Sequence, residues 1–343
     1  MTPENKSRSK GRQLPGVAVL ATGGTIAGTA GSPAQAGYDS GKLDVKSMIQ
    51  AVPGLEAIAR VSGEQISNVG SQDMSFEIMN RMALRINELL SDQEVCGVVV
   101  THGTDTLEET AYFLNLTVKN PKAVVITGAM RPATAISADG PLNLYNAVAV
   151  AADPKARERG VLVVMNDRIH GAHSLTKSNT TSVETFVSPV NGLVGTVNYG
   201  RATYFRAPFR RHTFLSEFSP SDSACLPRVD IVYACADMPP DLMECSVAKG
   251  AKGIVIAGDG NGNMNKASIA TAAALAGQGI WIVRSSRVPT GRVGRNIEVD
   301  DDANRFIASD ELNPAKSRIL LMLALSSLGQ PGPEKVQRLF YEY

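Results

Sequence analysis

The sequence predicts an α/β fold with a larger N-terminal and a smaller C-terminal domain, each a mainly parallel sheet flanked by helices. Three observations carry that expectation. Short β-branched runs recur along the 343 residues, segments of helical spacing separate them, and the runs are continuously apolar rather than alternating. Uninterrupted apolar strands are those covered by helices on both faces, and a strand–helix rhythm makes parallel neighbours.

In chain order the candidate strands are Val17–Ala21, Val98–Thr101, Val124–Thr127, Val161–Met165, Val229–Tyr233, Ile254–Ala257 and Ile280–Val283. Met79, Met82, Ile86 and Leu89 recur at helical spacing and so share one face of a helix. Asn313-Pro314 and Pro331-Gly332-Pro333 place proline where the first turn of a helix tolerates it. The chain exceeds the size at which one core usually stops growing. Residues 207–227, rich in proline, serine and charge, read as a linker between domains at 14–206 and 228–343. The polar, basic residues 1–13 read as a disordered tail.

Composition narrows the function. Hydrophobic residues make up 43% and charged residues 20%, as in ordinary globular proteins and unlike disordered ones. Lysine plus arginine (34) balance aspartate plus glutamate (33), so the chain has no general electrostatic footprint for nucleic acid or an anionic membrane. Small molecules and copies of itself are the expected partners. Cys96, Cys225, Cys235 and Cys245 include no C-x-x-C pair, so a disulfide framework is not expected. No stretch has the ~20 apolar residues of a membrane helix. The sequence as written reads as cytoplasmic, or as periplasmic if a leader has been removed.

Ligands of open parallel sheets bind beyond the carboxyl ends of the strands, and the unusual residues cluster there. The first strand ends in Thr22-Gly23-Gly24-Thr25-Ile26-Ala27-Gly28. Gly23 and Gly28 have phosphate-loop spacing, but Thr29 and Ala30 follow in place of lysine and a magnesium-binding hydroxyl, which argues against nucleotide. What is left is a threonine between glycines, either a helix-capping turn or a hydroxyl held close to a ligand. After the second strand, Thr106-Leu-Glu-Glu109 has the pattern of a capping box. Thr104 and Asp105 then precede a helix N-terminus, whose dipole favours a carboxylate by about 0.3–1 kcal/mol. Asp105 is either a plain cap or a partner for a substrate ammonium.

A hydroxyl nucleophile needs a base. Candidates are His102, His170, His173 and His212, together with Tyr38 and Lys177, and the residues alone leave the choice open. His170 and His173 lack nearby cysteine or carboxylate ligands for a metal. Asp259-x-Asn261-x-Asn263 begins like a calcium loop, but Met264 and Ala270 occupy its glycine and glutamate positions. No metal or cofactor is expected.

Taken together, the loops resemble the bacterial-type L-asparaginase family, particularly its type II branch of asparaginases and glutaminase-asparaginases. The matching stretches are LATGGTIAG at 20–28, GSQDM at 70–74, THGTDTLEETAYFL at 101–114 and MRPATAISADGPLNLYNAV at 130–148. VVMND at 163–167, TKSNTT at 176–181 and RSSRVPTG at 284–291 follow in order. The resemblance covers residues 14–343.

It implies that Thr25 is the nucleophile, that Tyr38 on a lid helps remove its proton, and that Thr104, Lys177 and Asp105 form a second set. It further implies that Ser71, Gln72 and Asp105 hold the amino-acid end of the substrate. Glu298, with Asn263 beside it, would reach in from a neighbouring subunit, in a homotetramer built as a dimer of intimate dimers. The implied reaction is hydrolysis of L-asparagine to L-aspartate and ammonia through an acyl-enzyme. A one-step attack by water guided by Thr104 and Lys177 is the other route.

A dual enzyme with comparable activity on L-glutamine is the near alternative, since one methylene discriminates by only about 1–3 kcal/mol. Asn263 and the RVPTG run lean toward asparagine, because dual-specificity members often carry serine at the former position. The different-class alternative is a non-catalytic amino-acid-binding module, separable by ammonia release. The cysteine pair of some type II enzymes is absent, with Cys96 elsewhere and Asn120 near the other position.

Overall fold

The computed structural model describes residues 13–29, 31–32, 41–220, 226–329 and 331–343. The first part of the chain runs β1 (Gly16–Gly23), α1 (Val45–Gln50), α2 (Leu55–Ile58), β2 (Arg60–Val69), α3 (Phe76–Ser91) and β3 (Val95–Thr101). It continues α4 (Leu107–Thr117), β4 (Ala123–Thr127), α5 (Gly140–Ala152), β5 (Val161–Met165) and β6 (Arg168–Gly171). Then come β7 (Thr176–Lys177), β8 (Phe186–Val187), β9 (Gly195–Asn198) and β10 (Arg201–Tyr204). The second part is β11 (Val229–Tyr233), α6 (Asp241–Ala248), β12 (Gly253–Gly258), α7 (Lys266–Gly277) and β13 (Trp281–Ser286). α8 (Asp301–Asn304), β14 (Phe306–Ala308), α9 (Pro314–Ser327) and α10 (Pro333–Glu342) complete it.

The larger sheet has the order β10-β9-β6-β5-β4-β3-β1-β2, and the smaller β11-β12-β13-β14. β2, β1, β3, β4 and β5 pair in parallel, as do all strands of the smaller sheet. β6, β9 and β10 attach antiparallel, so parallel pairing is confined to the half of the large sheet that both helix layers cover. There, alternate residues serve opposite cores. Leu20, Val98, Val100 and Ile126 pack toward α3 and α4, while Val19, Val99 and Val125 pack toward α5. Each such side chain, fully buried, contributes about 1.5–3 kcal/mol.

Helix α3 buries Met79, Met82, Ala83, Ile86 and Leu90, so the inward stripe ends at Leu90 and not at the expected Leu89. The 3.6-residue repeat has rotated Leu89 partly outward by that turn. Asn313 caps α9, accepting from the Lys316 amide, and proline occupies the first turn of α9 and of α10. Helices α4 and α9 pack on each other, and one continuous core joins the two sheets through them.

The stretch 207–220 is docked rather than loose. His212 and Phe218 are buried, Arg210 pairs with Asp310, and Phe218 packs on Tyr343. Residues 1–12, within the expected tail, lie outside the described residues, as does Cys225. Cys96, Cys235 and Cys245 are free thiols. Among the described residues no helix is long and apolar enough to cross a membrane.

Candidate active site

The strand order reverses between β1 and β3. From β1 the chain goes to β2 on one side, then returns to β3 on the other. Loops leaving the carboxyl ends of two such strands diverge and leave a crevice between them. Thr25 follows β1, and Thr104 and Asp105 follow β3.

Glycine lets these loops close on each other. Gly24 has φ 78°, and a Cβ there would lie 2.4 Å from the Gly103 Cα. A Cβ on Gly103 would in turn meet Ser71 Oγ at 2.8 Å. Backbone contact therefore draws three segments together: the 3-10 turn Thr25–Ala27, the 3-10 turn Ser71–Asp73 after β2, and the 103–106 loop. Ser71 Oγ accepts from the Asp105 amide at 3.1 Å. Thr106 Oγ1 donates to the Ser71 carbonyl at 2.7 Å.

That last contact corrects the expected capping box. α4 does begin at Leu107, but the Thr106 side chain makes no cap, because the Ser71 turn has taken its hydroxyl. Glu109, in the same motif, is partly buried, and desolvation pushes its carboxyl up in pKa.

The two threonines of the first loop have different surroundings. Thr22 is 1% exposed and donates its hydroxyl to the Thr101 carbonyl at 2.9 Å, tying β1 to β3. Thr25 lies beyond that tie, 6% exposed, at the open end of the strand.

Lys177 comes from β7 and reaches across to the β3 loop. Its Nζ donates to Thr104 Oγ1 at 2.9 Å and to Asp105 Oδ1 at 2.7 Å. The Lys177 side chain is 17% exposed and that of Asp105 61%, so one end of the array is sheltered and the other faces solvent. Thr104 itself is 5% exposed. Gln72 is exposed, its amide folded back over Gly70. Tyr38 lies outside the described residues.

The histidines do not serve this site. His102, beside Thr104 in sequence, is fully buried. Its Nδ1 lies 2.7 Å from the Gly103 carbonyl, so Nδ1 carries the proton, and Nε2 accepts from Thr110 Oγ1 at 2.9 Å. Both ring nitrogens are occupied, and burial drives the ring's pKa down to about 4. His170 Nδ1 contacts Ser188 Oγ, and the His212 ring contacts Thr213 Oγ1. His173 stacks edge-on to Tyr112.

Asn263 and Glu298 form a separate pair. Asn263 Nδ2 donates to Glu298 Oε2, and Glu298 is exposed. Among the described residues no hydrogen bond or ion pair joins either of them to Thr104, Asp105 or Lys177 of the same chain. What holds the pair is Arg284, which sequence reading passed over inside the RSSRVPTG stretch. Its guanidinium, fully buried at the middle of β13, grips Asp301 through two bonds of 2.6 and 2.7 Å. It also donates to the carbonyls of Asn261, Gly262 and Gly294. One residue thus fixes both the turn carrying Asn263 and the segment carrying Glu298.

Comparison with known proteins gives the same picture from outside. Residues 16–210 match the family model "Asparaginase, N-terminal", and residues 228–340 match "Glutaminase/Asparaginase C-terminal domain". An L-asparaginase 2 of Bacillus subtilis is 50% identical, over 98% of this chain and 89% of its own. A probable periplasmic L-asparaginase of Haemophilus influenzae is 47% identical, over 96% of this chain and 93% of its own. The crystal structure of a probable cytoplasmic L-asparaginase from Campylobacter jejuni superposes with a TM-score of 0.92 at 42% identity. That alignment covers 96% of this chain and all of the other. The chain is therefore an enzyme of the asparaginase family, with both of that family's domains.

Proposed function

We propose that the protein hydrolyses L-asparagine to L-aspartate and ammonia, with Thr25 as nucleophile. The Thr25 oxygen attacks the side-chain amide carbon while its proton passes, with help from Tyr38, toward the departing nitrogen. The carbon–nitrogen bond breaks, ammonia leaves, and an ester to Thr25 remains. Water then adds to that ester, its proton passing by way of the Thr104 hydroxyl, which Lys177 orients, to the Thr25 oxygen as the carbon–oxygen bond breaks, and aspartate is released. Positioned proton transfer of this kind contributes ~10²–10⁴-fold. Ser71, Gln72 and Asp105 bind the amino-acid end, with the Asp105 carboxylate on the substrate ammonium.

The observation that carries this reading is the Lys177 ammonium held 2.9 Å from the Thr104 hydroxyl and 2.7 Å from Asp105. A lysine spent on a threonine hydroxyl at a strand-end crevice has an obvious chemical use and little structural one. Asn263 and Glu298, unattached to this array within one chain, are assigned to a neighbouring subunit's site, which makes the working unit a dimer and the whole a homotetramer of two dimers.

Ammonia release from L-asparagine, measured for the wild type and for Thr25→Ala, tests the proposal. The wild type should turn over and the variant should lose nearly all activity; a variant as active as wild type would remove Thr25 from the chemistry. The family model's own name favours one second reading, a glutaminase-asparaginase. Comparison of kcat/KM on the two amides decides between them.

A further inference from the structure

Lys177 is useful only while its ammonium stays against Thr104, and its own strand does little to ensure that. β7 is two residues long and, among the described residues, pairs only with the equally short β8. Two contacts from elsewhere hold the segment.

The first is Glu108, in the opening turn of α4. Its Oε2 accepts the Lys177 backbone N–H at 3.0 Å, and its Oε1 accepts from Asn313 Nδ2 at 3.1 Å. Asn313 belongs to the other domain, where its Oδ1 caps α9 by accepting from the Lys316 amide at 3.0 Å. The second contact is Lys316 itself. Although only 3% exposed, it sends Nζ to the carbonyls of His173, at 2.8 Å, and of Leu175, just upstream of Lys177. Burial of an amine is costly, and here it brings the pKa down to about 8. That cost is met on main-chain carbonyls of the one segment that presents Lys177.

We infer that Glu108, Asn313 and Lys316 are positioning residues, through which the C-terminal domain sets where the Lys177 main chain stands relative to Thr104. This rests on the role proposed for Lys177. It makes the seat of α9 part of the catalytic geometry, although no residue of α9 belongs to the site.

The Glu108–Asn313 pair offers a test by exchange. Asn313→Asp keeps the cap on the Lys316 amide but sets a carboxylate against Glu108. Glu108→Gln leaves a single acceptor for two donors. Combined, the two changes restore both bonds, the one between 108 and 313 with its polarity reversed: the new amide oxygen takes the Lys177 N–H, and its NH₂ donates to the new carboxylate.

Full-length wild type, both single variants, the double variant and Lys177→Met are compared for kcat and KM on L-asparagine and for Tm. Displacement of a catalytic group by about 1 Å can cost ~10²-fold, so each single variant should lose about tenfold to a hundredfold in kcat with KM within about twofold. The double variant should regain kcat to within about threefold, the residual reflecting imperfect re-seating. A folded single variant with wild-type kcat, or a folded double variant that fails to regain kcat, overturns the inference. If one single variant does not fold, the other single and the double still decide. Lys177→Met distinguishes the failures: wild-type turnover in it removes the role of Lys177 itself, whereas loss of turnover beside unaffected single variants removes only the positioning.

Discussion

Replacement of Lys177 by methionine takes away the ammonium and keeps most of the aliphatic stem. The losses are the 2.9 Å bond to Thr104 Oγ1 and the 2.7 Å contact with Asp105 Oδ1. The second is cheap for folding. With 61% of its side chain exposed, Asp105 has water to replace the ammonium, and such pairs are worth about 0–1 kcal/mol. The first is dear for turnover. Under the proposed mechanism Thr104, 5% exposed, loses the ammonium that orients its hydroxyl for proton transfer. Loss of positioned proton transfer then lowers kcat by ~10²–10⁴, or about 3–5 kcal/mol of barrier. If Asp105 binds the substrate ammonium as proposed, its carboxylate is untouched by the change, so KM should hold or fall. Steady-state ammonia release gives kcat and KM, and thermal unfolding checks the fold, with Tm expected within about 2–4 °C of wild type. A kcat near wild type would refute the reasoning. So would a raised KM at unchanged kcat, because Lys177 would then be a binding group only.

Other consequences can be checked separately. Arg284→Met strands the Asp301 carboxylate in a fully buried site, which should cost about 3–5 kcal/mol in urea unfolding; a loss under about 1 kcal/mol contradicts the buried-pair assignment. Burial holds His102 and His170 at pKa about 4 and His173 at about 3, against an ordinary 6.5, so the folded rings stay neutral while unfolded ones take up protons. Stability is therefore full above pH 6.5 and falls as pH drops toward 4, most steeply in the middle of that window, where unfolded rings are protonated and folded ones are not, and His102→Asn should flatten the decline of Tm; equal slopes in wild type and variant would refute it. If Asn263 and Glu298 act in a neighbour's site, activity per chain should fall on dilution to monomer, and a fully active monomer, verified by sedimentation, would exclude that arrangement.

The legible parts of this fold are those where burial leaves one kind of residue. β1, β3, β4, β5 and β12 announce themselves because helices cover both faces, so their sequences are rich in valine, isoleucine and alanine. β2 has no such signature because it is an edge strand whose exposed positions include Arg60, Gln65 and Asn68. β9 and β10 join through a two-residue turn in which Tyr199 and Gly200 both have positive φ, and they are too short to show a period. The site loops were legible because glycine, threonine and aspartate at strand ends have few structural uses in combination. Thr106 and Glu109 misled, since a capping pattern records local preference and cannot register a competing carbonyl delivered from Ser71. Glu108 was in plain view within the same motif, but its partners, Lys177 and Asn313, lie 69 and 205 residues away.

Two solutions to one physical problem coexist in the molecule. A reacting group must stand within a fraction of an ångström of its place, and loops do not hold such tolerances unaided. Around Thr25 and Thr104 the solution is steric. Gly24 and Gly103 remove the side chains that would separate two backbones, and β1 and β3 beneath them cannot shift without opening the core. Around Asn263 and Glu298 it is electrostatic. The turn carrying Asn263 sits on the end of β12, where a Cβ on Gly258 would meet the Asn263 carbonyl at 2.7 Å, and a buried guanidinium gathers a carboxylate and three carbonyls and ties that turn to the segment carrying Glu298. The steric device fails abruptly when a methyl group is added. The electrostatic one fails when either charge is removed, because the other is left in a site without water. Mutations at the two places should therefore differ in kind: at Gly24 the loss falls on chemistry first, and at Arg284 on the stability of the C-terminal domain first.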